Sequence, residues 1–228
     1  MVVDLSFTLK SNAFLRESGP LRKEKSVMKE IKDKIVDIVN NEDEVLLRSY
    51  FVLVRSGYKR DVRGDVLYKP YNNKLELQYK VDISDLKEGC SVIMSEKLIE
   101  KLDISKEKFF DTAYKNTVNM RPPKFESISD VIHLPFDDLP MYVLTNETQT
   151  FGAGVILYPN MKEKLQSIIG DFIVIPSSVH ECIIFPSAVD IQAITNIIRE
   201  VNTTVVDEEE VLSDVPFRLT DLGELIEA

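Results

Sequence analysis

The chain reads as an α+β protein, with mixed or antiparallel strands and helices packed around them in two lobes. Three stretches predict this. Leu75-Glu-Leu-Gln-Tyr-Lys-Val-Asp-Ile83 alternates apolar and polar residues, the period of a half-buried strand with one packed face and one wet face. Val27, Met28, Ile31, Ile35, Ile38 and Val39 recur at helical spacing and form one apolar stripe. In the run from Asp171 to Pro186, two apolar segments, Phe172 to Ile175 and Cys182 to Phe185, flank Ser177-Ser-Val-His-Glu181. That pattern predicts two short buried strands joined by a tight reversal.

Composition bounds the function classes. A chain of 228 residues that is 44% hydrophobic can build a sizeable core. No apolar run approaches the ~18 residues that a spanning helix needs, and Asp4 stands where a signal peptide would carry basic residues. The expected location is the cytoplasm. Cys90 and Cys182 are the two cysteines, far apart, so a disulfide framework is not expected and a reducing compartment fits. The net charge of −10 disfavours direct binding to nucleic acid or to an anionic membrane face. That charge is uneven: basic residues prevail between Lys10 and Lys34, and acidic ones from Asp207 to the end.

Taken in order, residues 1–25 read as an amino-terminal arm, with Leu5, Phe7 and Leu9 alternating as in a single edge strand. Residues 26–120 form the first lobe. Ser26 is the expected cap of the first helix, which Asn40-Asn41 should stop, and Val45 to Val54 predicts a strand. Cys90 to Met94 reads as a short strand, and Ser95 and Ser105 as caps of two successive helices. Residues 121–140, with four prolines, are the expected connector, and 141–228 the second lobe with an acidic carboxyl-terminal tail. There Tyr142 to Thr145 and Phe151 to Tyr158 predict strands, Pro159 separates the second from a helix ended by Gly170, and Ser187 should cap the helix after the hairpin. Pro216 cannot donate to a central ladder, so an edge strand should close the lobe.

Several stretches carry a family resemblance. Pro140-Met-Tyr-Val-Leu-Thr-Asn146, Gly152-Ala153 with Leu157-Tyr-Pro159, Ile175-Pro-Ser-Ser-Val-His-Glu181, Val201-Asn202 and Glu209-Glu-Val-Leu-Ser-Asp214 resemble, in that order, blocks of the bacterial domain-of-unknown-function 5688 family. Asn116-Thr117 and Ile31-Lys-Asp-Lys-Ile-Val36 with Asn40 are weaker matches upstream. The resemblance implies an intracellular bacterial or phage-borne protein and supplies no activity. A more distant similarity in block order, to the YtpQ-like family, supplies none either.

Two functional readings follow from the residues. Ser178, His180, Glu181 and Cys182 are the densest set of reactive side-chain types, with His180 as the base of a hydrolase or transferase. On an extended backbone, however, alternate residues stand ~6.6 Å apart, too far for a nucleophile and its base. In a reversal these side chains satisfy backbone groups instead. The favoured reading is a non-enzymatic binding protein whose acidic residues Asp207, Glu208, Glu209, Glu210 and Asp214 meet a basic groove on a protein partner, one that normally holds nucleic acid. No cofactor or metal is expected: His133 cannot complete a zinc site with His180 and Cys182 at any recognised spacing, and Gly152-Ala-Gly154 lacks the third glycine of a phosphate cradle. About half of the aromatic set Tyr50, Phe51, Tyr58, Tyr68, Tyr71 and Tyr79 should be core.

Overall fold

The computed structural model describes residues 21–58, 64–132, 141–188, 190–204 and 206–228. The alternating Leu5, Phe7 and Leu9, and His133, lie outside them. Helix α1 (Leu21–Val39) begins before the expected cap at Ser26, so the last residues assigned to the arm are helical. Its stripe buries Ile35, Ile38 and Val39. The strand expected from Val45 is divided. Glu42–Arg48 is helix α2 and the strand β1 occupies Ser49–Arg55. The reason is local: Asn41 Oδ1 accepts the Glu44 amide at 3.2 Å, and three acids sit in the first turn, beside the positive end of the helix.

Strand β1 joins β2 (Tyr68–Pro70), β3 (Leu75–Asp82) and β4 (Ser91–Ile93) in an antiparallel sheet. β3 is its centre. It pairs with β1 from Ser49 opposite Val81 to Arg55 opposite Leu75, while β2 and β4 share its other edge. The predicted wet face of β3 is not wet, because Glu76 and Gln78 are buried. The chain leaving β1 folds over them: Gly57 N donates to Glu76 Oε2 at 3.1 Å, and Gln78 Nε2 donates to Tyr58 O at 2.6 Å and to Glu76 Oε1 at 2.9 Å. Polar side chains are required there to satisfy backbone groups.

Ser95 and Ser105 cap α3 (Glu96–Lys101) and α4 (Lys106–Met120) as the sequence predicts. α4 runs along the outer edge of β1 and satisfies it with side chains. Thr117 Oγ1 accepts the Phe51 amide at 2.9 Å in a buried setting, and Asn116 Nδ2 donates to the carbonyls of Leu46 and Ser49 at 2.7 and 3.0 Å. An edge covered in this way cannot recruit another strand.

The second sheet holds β5 (Pro123–Ser127), β6 (Tyr142–Asn146), β7 (Phe172–Ile175), β8 (Cys182–Pro186), β9 (Phe217–Leu219) and β10 (Leu225–Glu227). Its spatial order is β10-β9-β7-β8-β6-β5, antiparallel throughout. The proline-rich stretch from Arg121 is therefore more than a connector, since it supplies β5 and the short helix α5 (Ile128–Ile132). The central hairpin is as predicted, with Ile175 opposite Ile183 next to the reversal.

Two local expectations are corrected. Gly152–Leu157 is a 3-10 helix and not a strand, because the backbone there is drawn onto the reversal between β7 and β8: Gly152 N and Ala153 N donate to His180 O and Val179 O. Helix α6 (Met161–Ile169) buries Met161 and Leu165 but leaves Ile168 exposed, and ends at Gly170 as expected. Helix α7 (Ile191–Thr204) is capped by Asp190, whose Oδ1 accepts the Gln192 and Ala193 amides, and not by Ser187. α7 lays Ile194 and Ile198 on Ile175 and Phe185.

One apolar cluster, running in sequence from Ile35 to Leu225, joins the two sheets. The acidic carboxyl-terminal stretch is not a loose tail. β9 and β10 form a hairpin, and Tyr71 and Asn72 of the first sheet bond to it: Leu225 N donates to Tyr71 Oη at 2.8 Å and Asn72 Nδ2 to Leu225 O at 3.1 Å.

Removing the Thr117 hydroxyl without changing shape strands a buried amide. Thr117→Val should lower unfolding free energy by about 1–3 kcal/mol in urea titration, whereas Thr112→Val on the exposed face of α4 should change it by about 0.5 kcal/mol or less.

Candidate functional site

The densest polar geometry lies where the loop after β6 meets the reversal between β7 and β8. Asn146, at the end of β6, is buried and ties the loop into a tight ring. Its Oδ1 accepts from Thr148 Oγ1 at 2.8 Å and from Thr150 N at 3.2 Å, and its Nδ2 donates to Thr150 O at 2.9 Å. Within the ring Gln149 and Phe151 take left-handed backbone angles, with φ of 52° and 53°. For an aromatic residue that is a strained conformation, which the surroundings must enforce.

His180 enforces it. Phe151 N donates to His180 Nδ1 at 3.2 Å, and the two rings stack at 5.6 Å. The His180 carbonyl accepts from Thr145 Oγ1 at 2.7 Å and from Gly152 N at 3.0 Å. Approach is so close that a Cβ on Gly152 would lie 2.2 Å from Thr145 Oγ1 and 2.6 Å from His180 O. Because Nδ1 accepts, the ring carries its proton on Nε2, which faces Glu210 Oε1 at 3.3 Å. Lys80 Nζ of β3 stands 3.6 Å from the centre of the Phe151 ring, a cation–π contact that links this loop to the first sheet.

The neighbouring reactive side chains are engaged as well. Ser178 Oγ donates to Glu181 Oε1 at 2.7 Å and accepts the His180 amide at 3.0 Å. Ser177 Oγ also donates to Glu181, at 3.2 Å. The imidazole of His180 is turned to Phe151 and Glu210 rather than to either serine. Cys182 points into the core with its thiol 3.5 Å from Ala153 O, and burial, with Glu181 nearby, pushes its ionisation far above the ordinary thiol range. Of the four residues proposed as a catalytic set, the structure brings Ser178, His180 and Glu181 together as a hydrogen-bonded turn.

The five acids are divided. Asp207, Glu208 and Glu209 are exposed on a turn closed by Glu210 N to Asp207 O at 2.7 Å. Glu210 is half-buried against His180, and its carbonyl accepts the Val179 amide at 2.9 Å. Asp214 is exposed, and its Oδ1 accepts from the buried Asn202 at 2.8 Å. Of the aromatic set, Tyr50, Phe51 and Tyr79 are core while Tyr58, Tyr68 and Tyr71 are half-buried.

Sequence reasoning missed Arg121. Its guanidinium lies 3.9 Å from the Tyr50 ring centre, 3.3 Å from Asp82 Oδ2 and 3.4 Å from Thr150 O, so it clamps the strained loop to the first sheet. Nothing in its proline-flanked neighbourhood signals that role. Among the described residues no group of three or more His, Cys, Asp or Glu could hold a metal, and no helix is long and apolar enough to cross a membrane.

The family of unknown function DUF5688 matches the chain over residues 23–218. The chain belongs to that family. No curated protein and no solved structure matches it, and these comparisons show nothing of the YtpQ-like similarity. In this member of the 5688 family the stretches that carry the resemblance converge. Thr145 and Asn146, Gly152 and Ala153, and Ser177 to Glu181 build the knot around His180, and residues 209–214 lie along it through Val179 N to Glu210 O and the Ser178–Val211 bridge. Tyr158 extends the network to α4, donating to Thr117 O at 3.1 Å and accompanied by Arg121 O at 3.0 Å.

Two outcomes test this geometry. Gly152→Ala should lose about 3 kcal/mol or more, or fail to fold, because backbone and a β-strand hydroxyl surround the added methyl; Gly64→Ala, with nothing within 4 Å, should lose about 1–2 kcal/mol from its positive φ alone. The buried thiol gives a pH dependence. Its stabilising contribution is fully present below the unfolded thiol value of 9.0 and is lost as pH rises above it, since only the unfolded chain then ionises. Unfolding free energy should fall above that pH, and Cys182→Ala should reduce the slope by up to about 1.4 kcal/mol per pH unit.

Proposed function

We propose that the protein is a non-enzymatic cytoplasmic binding protein of a bacterium or a mobile element, and that it engages a basic groove on a protein partner through the acidic turn Asp207–Glu209. The observation that carries this reading is the mounting of that turn. Its three acids face solvent while the backbone beneath them is tied to the reversal by Glu210, so the charges are presented from a fixed base. Preorganised charge favours fast, oriented encounter with a surface of opposite sign. A groove that normally holds nucleic acid has that sign and shape. The hydrolase reading finds less support, because the serine hydroxyls donate to Glu181 and the basic nitrogen of His180 accepts the Phe151 amide.

The test is capture of partners from the native host at low and high salt, with the wild-type chain and with D207K/E208K/E209K, which spares the structural Glu210. The reading predicts a partner that the wild type captures at low salt, releases as the Debye length shrinks, and that the triple variant captures at least about tenfold less well. Equal capture by both chains at low salt would falsify it.

A further inference from the structure

Strand β5 is one edge of the second sheet, and the ladder determines which of its backbone groups are in use. Glu147 N donates to Pro122 O at 3.1 Å and Ile128 N to Met141 O at 2.8 Å. Antiparallel pairing alternates, so Pro122, Lys124, Glu126 and Ile128 bond toward β6 while Pro123, Phe125 and Ser127 turn their backbone groups outward. Among the described residues nothing bonds to the Phe125 amide or carbonyl, the Pro123 carbonyl or the Ser127 amide, while the Ser127 carbonyl heads α5. Two other edges are treated differently. The outer side of β1 bonds to Thr117, and that of β10 bonds to Tyr71 and Asn72. The fold covers those two edges, whereas among the described residues the amide and carbonyl of Phe125 have no hydrogen-bond partner.

The side chains of β5 select an occupant. Lys124 and Glu126 share one face, 2.7 Å apart, and Phe125 lies on the other, stacked on Tyr142 at 5.1 Å. A second β5, antiparallel about a two-fold axis at Phe125, places each Lys124 opposite Glu126 of the second copy, and Phe125 opposite itself. The two Phe125 residues then exchange two N–H to O=C bonds, and each Ser127 amide reaches a Pro123 carbonyl, which needs nothing from the N–H that proline lacks. The sequence Pro-Lys-Phe-Glu-Ser is self-complementary in charge and in hydrogen bonding only in this antiparallel register.

We propose that the protein self-associates through β5, joining the second sheets of two copies into one continuous antiparallel sheet across a two-fold axis. This interface stands apart from the acidic turn and does not depend on the partner reading. Sedimentation velocity over a micromolar to high-micromolar series tests it with the full chain. The wild type should dimerise with concentration. K124E and E126K should each weaken the dimer about tenfold by placing like charges opposite one another, and K124E/E126K should restore it because the swap keeps the complementarity. Independently, F125C in a C90S background should form a disulfide-linked dimer on mild oxidation, since opposed Cα atoms ~5.5 Å apart lie within bridging range. A chain that stays monomeric throughout overturns the proposal. So does a dimer that K124E leaves intact, or one whose F125C variant remains uncrosslinked.

Discussion

The structure of the second sheet depends on one residue whose polar groups are all directed inward. His180 offers its amide to Ser178, its carbonyl to Thr145 and Gly152, its Nδ1 to Phe151 and its Nε2–H to Glu210. Five segments meet there: the end of β6, the strained loop, the 3-10 helix, the reversal and the acidic turn. Each bond is modest, but the loop's left-handed Phe151 would relax if the imidazole lone pair were withdrawn. The arrangement also explains a glycine at position 152, since no side chain fits between Thr145 and the His180 carbonyl.

From this knot the network reaches the first sheet by three routes. Lys80 lies over Phe151, Arg121 joins Thr150 to Asp82 and Tyr50, and Tyr158 hydrogen-bonds the last turn of α4. α4 in turn closes the edge of β1 with Asn116 and Thr117. The two sheets therefore share polar clamps as well as the common apolar cluster, and the carboxyl-terminal hairpin adds a further tie through Tyr71 and Asn72. The exposed acids at 207–209 sit on the rim of this framework, and the β5 edge lies at the far side of the same sheet from β10.

The α+β class and the central hairpin were legible because alternation and short apolar runs report burial directly. The serine caps of α3 and α4 were legible for the same local reason, one side chain satisfying one helix end. What escaped was set by contacts distant in sequence. Phe151 to Leu157 has strand composition, yet the His180 and Val179 carbonyls draw its first amides into a 3-10 turn. Glu76 and Gln78 alternate as wet residues should, yet the chain after β1 covers them. Around His180 the residues were legible and their partners were not: spacing alone shows that Ser178, His180 and Cys182 are poorly placed on an extended strand, but not that the imidazole turns to Phe151 and Glu210.

The central claim is that His180 acts as a fixed acceptor within the fold. Long-range proton–nitrogen NMR of the imidazoles in the folded protein tests it most directly, with His133→Gln used to assign His180. The account predicts a single neutral tautomer with the proton on Nε2, and a hydrogen-bond coupling between the Phe151 amide and an unprotonated Nδ1. A ring protonated at Nδ1, or one exchanging freely between tautomers with no coupling to Phe151, would contradict it.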